Sequence, residues 1–264
     1  MMEILSSYAV SDLFWIGLSL FLFGMSKGGF PVGSIALPVL ILFWPSQTQS
    51  AREAVGFMLP MLCVMDCIAL AFYWRYVQWR QFIFLIPATV VGIAVASFLF
   101  VSDASTLIAV SDQILKLLIG ALGILFVIYF MVKKWILRHI HTSRPNWTKG
   151  TVFGFAAGIT STLAHAADPV MQMYFLPQRL EKKKFAGTNC AYFWMLNLMK
   201  LLPFILLGRI HSENLKLGAA LLPVIPLGVA LGLWMTHKTE QKYYIALIYT
   251  VLLITSVLLI VKSF

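Results

Sequence analysis

The chain has 264 residues, of which 60% are hydrophobic and 11% are charged, and its formal net charge is +10. A water-soluble domain of this length cannot bury so much apolar surface, so the composition excludes an ordinary soluble protein. The basic residues do not indicate nucleic acid, because they lie in short loops between apolar segments, where membrane orientation explains them.

The first apolar region is interrupted by a polar string. Residues 13–23 and 31–44 are each too short to cross a bilayer core of about 30 Å, and the Gly-rich stretch 24–29 lies between them. We predict two half-helices that enter the membrane and turn back. Irregular backbone at this depth survives only inside protein or beside a watery cavity, so the break should face the interior.

Six further segments have the length of about 20 residues that a transmembrane helix needs. They are 54–74, 82–101, 114–132, 185–207, 217–235 and 243–261. Basic loops collect on the cytoplasmic side of a membrane. This rule places four loops inside, at 75–80, 133–149, 179–184 and 238–242, whereas 102–112 has no cation and is expected outside.

The second half of the chain repeats the first at an offset of 131 residues. The matched residues are Ala36 with Ala167, Pro38 with Pro169, Val39 with Val170, Gly56 with Gly187, and Asp66 with Asn197. Residues 150–175 form the second broken segment, and basic loops flank it on both sides. That segment should therefore turn back from the cytoplasmic side, and its counterpart 13–44 from the outside.

These patterns predict an all-α polytopic membrane protein. Two inverted repeats, 1–132 and 150–264, would each contain a re-entrant broken-helix hairpin and three transmembrane helices, joined by the basic cytoplasmic loop 133–149 within one membrane domain. The alternative is eight full spans in a parallel 4+4 arrangement. In either case the site is expected where the two halves meet.

Ser26, Lys27, Gly28 and Gly29 lie in the first break and are candidates for binding an anion. Glycine leaves backbone N–H groups accessible, and the start of the next helix carries a partial positive charge. A lysine at the centre of a membrane helix costs about 3 kcal/mol, so Lys27 needs a functional reason. The alternative is that the break lies near an interface and Lys27 reaches water.

The second break supplies Gly158, Ser161, His165 and Asp168. His165 could donate to an anion or exchange a proton, with Asp168 tuning it. The alternatives are a hydrogen-bonded interior histidine, and an aspartate that only caps the helix beginning at Pro169.

A polar face is predicted on the helix after the second break, where Asn189, Phe193, Asn197 and Lys200 are spaced four, four and three residues apart. Asn197 and its repeat partner Asp66 should both point inward, whereas Lys200 either joins them or extends to an interface.

Residues 23–29, with Pro38, and residues 154–165, with 185–188, Asn197 and Lys200, resemble the two signature regions of the TauE/SafE family of membrane transporters. The resemblance covers almost the whole chain. It implies a multi-pass protein of the bacterial inner membrane that exports small anions, with sulfite and organosulfonates such as sulfoacetate as the usual substrates.

We therefore predict a secondary transporter that works by alternating access, and not an enzyme. Its expected partners are a small anion and the lipid bilayer, with a homodimer as one option, no nucleic acid, no cofactor and no metal. The predicted substrate-binding residues are Ser26, Lys27, Gly28, Gly29, Gly158, Ser161, His165, Asn197 and Lys200, and those for proton or ion coupling are His165, Asp168 and Asp66. A cation or metal transporter or channel that uses Asp66 and Asp168 is one alternative, and a non-transporting membrane protein is another.

Overall fold

The computed structural model describes residues 8–28, 30, 32–46, 49–98, 111–139, 144–238 and 241–263, and these residues are helical or form short connections. The helices are α1 Val10–Lys27, α2 Gly33–Leu42, α3 Ser50–Tyr73, α4 Gln81–Phe98, α5 Asp112–His139, α6 Trp147–Ala164, α7 Asp168–Phe175, α8 Lys182–Leu206, α9 Ser212–Leu221, α10 Val224–Lys238 and α11 Gln241–Val261. Short 3-10 turns, Trp74–Tyr76 and Leu176–Gln178, extend α3 and α7.

Five helices in the described part of the chain are long and apolar enough to cross a membrane. They are α1, α3 with its 3-10 turn, α4, the first part of α5, and α8. The pair α9 and α10 qualifies as a sixth, broken span with a bend of 53°. The prediction of an all-α polytopic membrane protein is confirmed.

The expected continuous span 217–235 is wrong, because α9 ends at Leu221 and α10 begins at Val224. Pro223 lies at the bend. Proline has no N–H to donate and its ring crowds the carbonyl of the preceding turn, so the helix is interrupted here.

The first helix is longer than predicted. It continues through the polar string as far as Lys27, and its 18 residues extend about 27 Å. The expectation that residues 13–23 are too short to cross is therefore wrong for the helix that contains them. Helix α6 likewise continues through Gly158 and Ser161 to Ala164. A glycine inside a helix lowers the stability of the helix by about 1 kcal/mol. Leaving a backbone N–H or C=O group without a hydrogen bond inside a membrane costs more than this, so the helix continues through the glycines.

Helices α1 and α2 form one hairpin, and α6 and α7 form another. Trp15 in α1 stacks on Phe43, just after α2, with ring centroids 3.8 Å apart. Phe153 in α6 meets Tyr174 near the end of α7 with centroids 5.8 Å apart. Phe43 and Tyr174 are partners in the 131-residue repeat. An aromatic side chain at the same position of each copy therefore closes each hairpin.

Helices α3 and α8 occupy equivalent positions in the repeat and pack against each other in opposite directions. Gly56, near the start of α3, lies against the backbone carbonyl of Arg209, just beyond the end of α8. Its partner Gly187, near the start of α8, lies against Tyr73 at the end of α3, where an added Cβ would be 2.8 Å from the carbonyl oxygen. Contacts that join the start of one helix to the end of the other make the pair antiparallel.

Each hairpin also packs on a helix of the other half. Helix α6 contacts α4, and α1 contacts α10, over glycines that bring the backbones close together. A Cβ on Gly24 would lie 2.8 Å from the carbonyl oxygen of Ile225, and one on Gly158 would lie 2.9 Å from the backbone nitrogen of Ile93. Because the halves interlock in this way, the breaks of the two hairpins meet at the centre of the protein.

Candidate functional site

The two hairpin breaks and the middle of α8 enclose a small polar cavity. Its volume is about 20 Å³, which is room for about one water molecule. The side chains around it come from both halves of the chain. They are Phe23, Ser26, Lys27, Leu62, Ser161, His165, Asp168, Phe193 and Asn197.

Asp66 joins the two halves at this cavity. Its carboxylate forms an ion pair with the ammonium of Lys27 through one oxygen, and Asn197 Nδ2 donates to the other over 2.6 Å. Asp66 is fully buried, and the Lys27 ammonium also lies 5.3 Å from the centre of the Phe193 ring. Lys27 therefore points towards Asp66 inside the protein, while 18% of its side chain remains exposed. The two repeat partners Asp66 and Asn197 are hydrogen-bonded to each other.

Lys200 is the centre of a second polar cluster and has no exposed surface. Its ammonium donates to the carbonyl oxygen of Ser161 over 3.1 Å and to the Ser161 hydroxyl over 2.9 Å. It also lies 2.9 Å from Nδ1 of His165. The alternative that Lys200 extends to an interface is therefore wrong.

These contacts determine how His165 is protonated. An ammonium group can only donate, so Nδ1 of His165 must accept from Lys200. The other ring nitrogen, Nε2, lies 3.0 Å from the carbonyl oxygen of Val55 and must carry the proton. Both nitrogens of a neutral imidazole are thereby used. His165 holds α3 and α8 together rather than presenting a free nitrogen to the cavity.

His165 also has an unusual backbone conformation. It ends α6 with a φ of 47° and a ψ of 30°, in the left-handed region where glycine is usual. A side chain there costs about 1–2 kcal/mol. The bonds of the imidazole to Lys200 and Val55 offset this cost. Strained residues of this kind cluster at functional sites, so the local geometry supports the assignment of His165 to the site.

A much larger cavity, of about 540 Å³, reaches the same Lys27 from the other direction. Its inner end contains Ser26, Lys27, Gly28 and Asp168, and its walls are mainly apolar and aromatic side chains of α3 and α8. Tyr76 and Lys183 lie at its far end, with the Lys183 ammonium 5.4 Å from the centre of the Tyr76 ring. This volume and lining are typical of a ligand cavity.

A protein-family model described as "Sulfite exporter TauE/SafE" matches residues 14–259 of the chain. The chain belongs to the TauE/SafE family. No curated protein and no solved structure matches it. Membership implies a membrane exporter of sulfite or related anions, and family members are transporters rather than enzymes. The resemblance of the sequence to TauE/SafE is thus confirmed, and the chain is a multi-pass membrane protein.

Most of the site residues predicted from the sequence come together. The small cavity is lined by Ser26, Lys27, Ser161, His165, Asp168 and Asn197. Asp66 and Lys200 form hydrogen bonds with two of these side chains, Asn197 and Ser161. Gly28 lies at the large cavity, but its N–H donates to the carbonyl of Gly24 and is not free for an anion. Gly158 lines neither cavity and packs on α4. Gly29 falls outside the residues that the structure describes.

Phe193 and the backbone of Val55 also contribute to the site, although neither was predicted to bind. Phe193 lines both cavities and lies beside Lys27, and its position on the polar face of α8 was the available signal. The Val55 carbonyl could not be found from the sequence, because backbone atoms carry no residue-type signal. Among the described residues, no group of three or more His, Cys, Asp or Glu side chains could hold a metal ion.

Proposed function

We propose that this TauE/SafE protein is a secondary transporter of the bacterial inner membrane that exports small anions, such as sulfite or organosulfonates of the sulfoacetate type. The observation that supports this most strongly is the position of Lys27. Its ammonium lies at the inner end of the large cavity, where the two hairpin breaks meet. A partly buried cation at the end of a cavity is the arrangement that an anion site requires.

The entrance to the cavity supports binding from the cytoplasm. It lies between the end of α3 and the start of α8, beside Tyr76 and Lys183. Arg75 and Arg80 lie between α3 and α4, and Lys182 and Lys184 lie in the first turn of α8. Basic loops of this kind face the cytoplasm. They also raise the local concentration of anions at the entrance.

The contacts of Asp66 argue against the alternative of a cation or metal transporter. Both carboxylate oxygens already accept from nitrogen donors, one on Lys27 and one on Asn197. Asp168 shares the inner end of the cavity with Lys27, which would repel an arriving cation. An anion is therefore the better ligand for this site.

Alternating access would follow if the two halves exchanged their conformations around the fixed central site. We infer that the halves are inverted repeats, and the antiparallel pairing of equivalent helices supports this. The α3–α8 pair has this arrangement. The α5–α11 pair has it too, because a Cβ on Gly120 would meet Ile260 at 2.7 Å whereas one on Gly123 would meet Leu252, two turns earlier, at 3.6 Å.

Cysteine labelling tests the inversion. Ser11 and Thr148, at the starts of α1 and α6, are both exposed. In a background in which Cys63, Cys67 and Cys190 are replaced by Ala, we expect an impermeant maleimide to label Ser11→Cys from outside and Thr148→Cys only after the cytoplasmic side is opened. Arg80→Cys is the control and should behave as Thr148→Cys does. Labelling of Ser11→Cys and Thr148→Cys from the same side would favour the parallel 4+4 arrangement.

Flux into proteoliposomes tests the function. The purified full chain should move sulfite, sulfoacetate or methanesulfonate faster than protein-free liposomes do, and should not move K⁺ or Zn²⁺. Movement of none of the three anions would overturn the proposal, and selective movement of a cation would favour the alternative.

A further inference from the structure

We propose that Asp66 is the proton carrier of this transporter, an inference that rests on the proposed function. In the structure the Asp66 carboxylate occupies the position that a transported anion needs, because it is held by the Lys27 ammonium and the Asn197 amide. An anion that binds Lys27 must displace it. Asp66 then takes up a proton from the side on which the anion enters, and releases it where the anion leaves.

The charge of the central site makes this proton necessary. The Lys27 ammonium and the Asp66 carboxylate balance each other's charge, and the hydrogen bonds of His165 leave its imidazole neutral. Around Asp66 itself, the charged and titratable groups are Lys27 from α1, Lys200 and Cys190 from α8, Asp168 from α7, and Cys63 from its own helix. A monoanion added to this balanced set leaves one buried negative charge without a partner, which is costly inside a membrane.

Asp66 is better placed than Asp168 to take that proton. Asp66 is fully buried and directly paired with Lys27, so loss of this pair leaves its carboxylate uncompensated. Asp168 is exposed, lines the large cavity and lies at the start of α7, where the helix dipole favours its charge.

His165 is also less suitable than Asp66. Both of its ring nitrogens are already hydrogen-bonded, to Lys200 and to the Val55 carbonyl. A proton added at Nδ1 would have to displace Lys200. The geometry therefore assigns the proton to Asp66.

The proton balance is simple. The anion binds the Lys27 ammonium, which stays protonated throughout, and one proton binds an oxygen of Asp66. The loaded carrier then has the same net charge as the empty one, so transport of a monoanion is electroneutral. Anion and proton move in the same direction, and the cytoplasmic concentration of the anion drives export.

Methanesulfonate is a suitable probe, because a sulfonate stays ionised at neutral pH and brings no proton of its own. In proteoliposomes with a clamped membrane potential and pyranine inside, the wild-type protein should acidify the interior by one proton per methanesulfonate taken up. An outside solution more acidic by one pH unit should give about tenfold accumulation, the ratio that 1:1 coupling predicts. Asp66→Asn should show no proton entry and should respond to membrane potential instead, whereas Asp66→Glu should keep the wild-type proton-to-anion ratio. Glu181→Gln, at an exposed carboxylate outside both cavities, is the control and should keep the wild-type ratio as well. Asp168→Asn tests the competing carboxylate and should keep this ratio whatever its rate of flux.

The other results overturn the inference in distinct ways. If wild-type protein moves methanesulfonate without protons, Asp66 is not a carrier, although the proposed anion transport stands. If Asp66→Asn still carries protons, another group is responsible. A folded Asp66→Asn protein that no longer exchanges labelled methanesulfonate at all also contradicts it, because asparagine mimics protonated Asp66. If the wild-type protein moves sulfite, sulfoacetate and methanesulfonate no faster than empty liposomes, the proposed function itself fails.

Discussion

Replacement of Lys27 by methionine should reduce anion flux in proteoliposomes by on the order of 100-fold, because loss of one partner from a buried charged contact costs about 2–5 kcal/mol. Lys27 is the cation that reaches the inner end of the large cavity and contacts Asp66 directly. Methionine keeps most of the side-chain length but cannot bind an anion. Lys27→Arg keeps the charge and should retain more flux than Lys27→Met.

Loss of folding must be separated from loss of binding in this variant. Lys27→Met leaves the Asp66 carboxylate without its cation, which should cost about 3–5 kcal/mol of stability. Adding Asp66→Asn removes the uncompensated charge, so the double variant should regain thermal stability without regaining flux. Lys216→Met is the matched control, since Lys216 is an exposed lysine of α9 that lines neither cavity. Wild-type flux in a folded Lys27→Met protein would contradict the proposed anion site.

Gly158→Ala should lower the stability of the whole assembly by about 1–3 kcal/mol, the usual cost of adding atoms to a close-packed contact. The new Cβ would lie 2.5 Å from the carbonyl oxygen of Thr89 and 2.9 Å from the backbone nitrogen of Ile93. Both are backbone atoms of α4 and cannot rotate away. The measurement is the midpoint of thermal unfolding in detergent, together with the yield of folded protein from membranes.

Gly17 provides the control for this substitution. It lies within α1, and a Cβ added there would meet nothing within 4 Å. Gly17→Ala should therefore be neutral or stabilise the helix by up to about 1 kcal/mol. Equal midpoints for Gly158→Ala and Gly17→Ala would show that the α4–α6 contact is looser than described. Equal midpoints would also remove the packing argument against Gly158 as a substrate-binding residue.

The membrane class and most site residues could be predicted because both depend on strong local signals. Long apolar segments imply membrane helices, and charged residues inside them are too costly to be incidental. Lys27, Asp66 and Lys200 were found in this way and lie at the centre of the structure.

Which charge pairs with which could not be predicted. Lys27 reaches Asp66 and Lys200 reaches His165 because of the packing between helices that are distant in sequence.

The positions of the breaks were also missed. Polarity in residues 24–27 suggested an interruption, but a backbone buried among other helices stays helical to keep its hydrogen bonds. The bend at Pro223 was overlooked because the apolar run itself continues.

The two copies of the repeat no longer carry the same charges at equivalent positions. Lys27 corresponds to Gly158, and Lys200 corresponds to Ala69. Identical halves that exchange their conformations would populate the inward-open and outward-open forms equally. With a cation on only one copy at each of these positions, the two forms would differ in energy, and a difference of about 1.4 kcal/mol is enough for a tenfold preference. Under the proposed alternating access, this divergence of the two halves would give the empty carrier a preferred resting side, which single-molecule distance measurements would reveal.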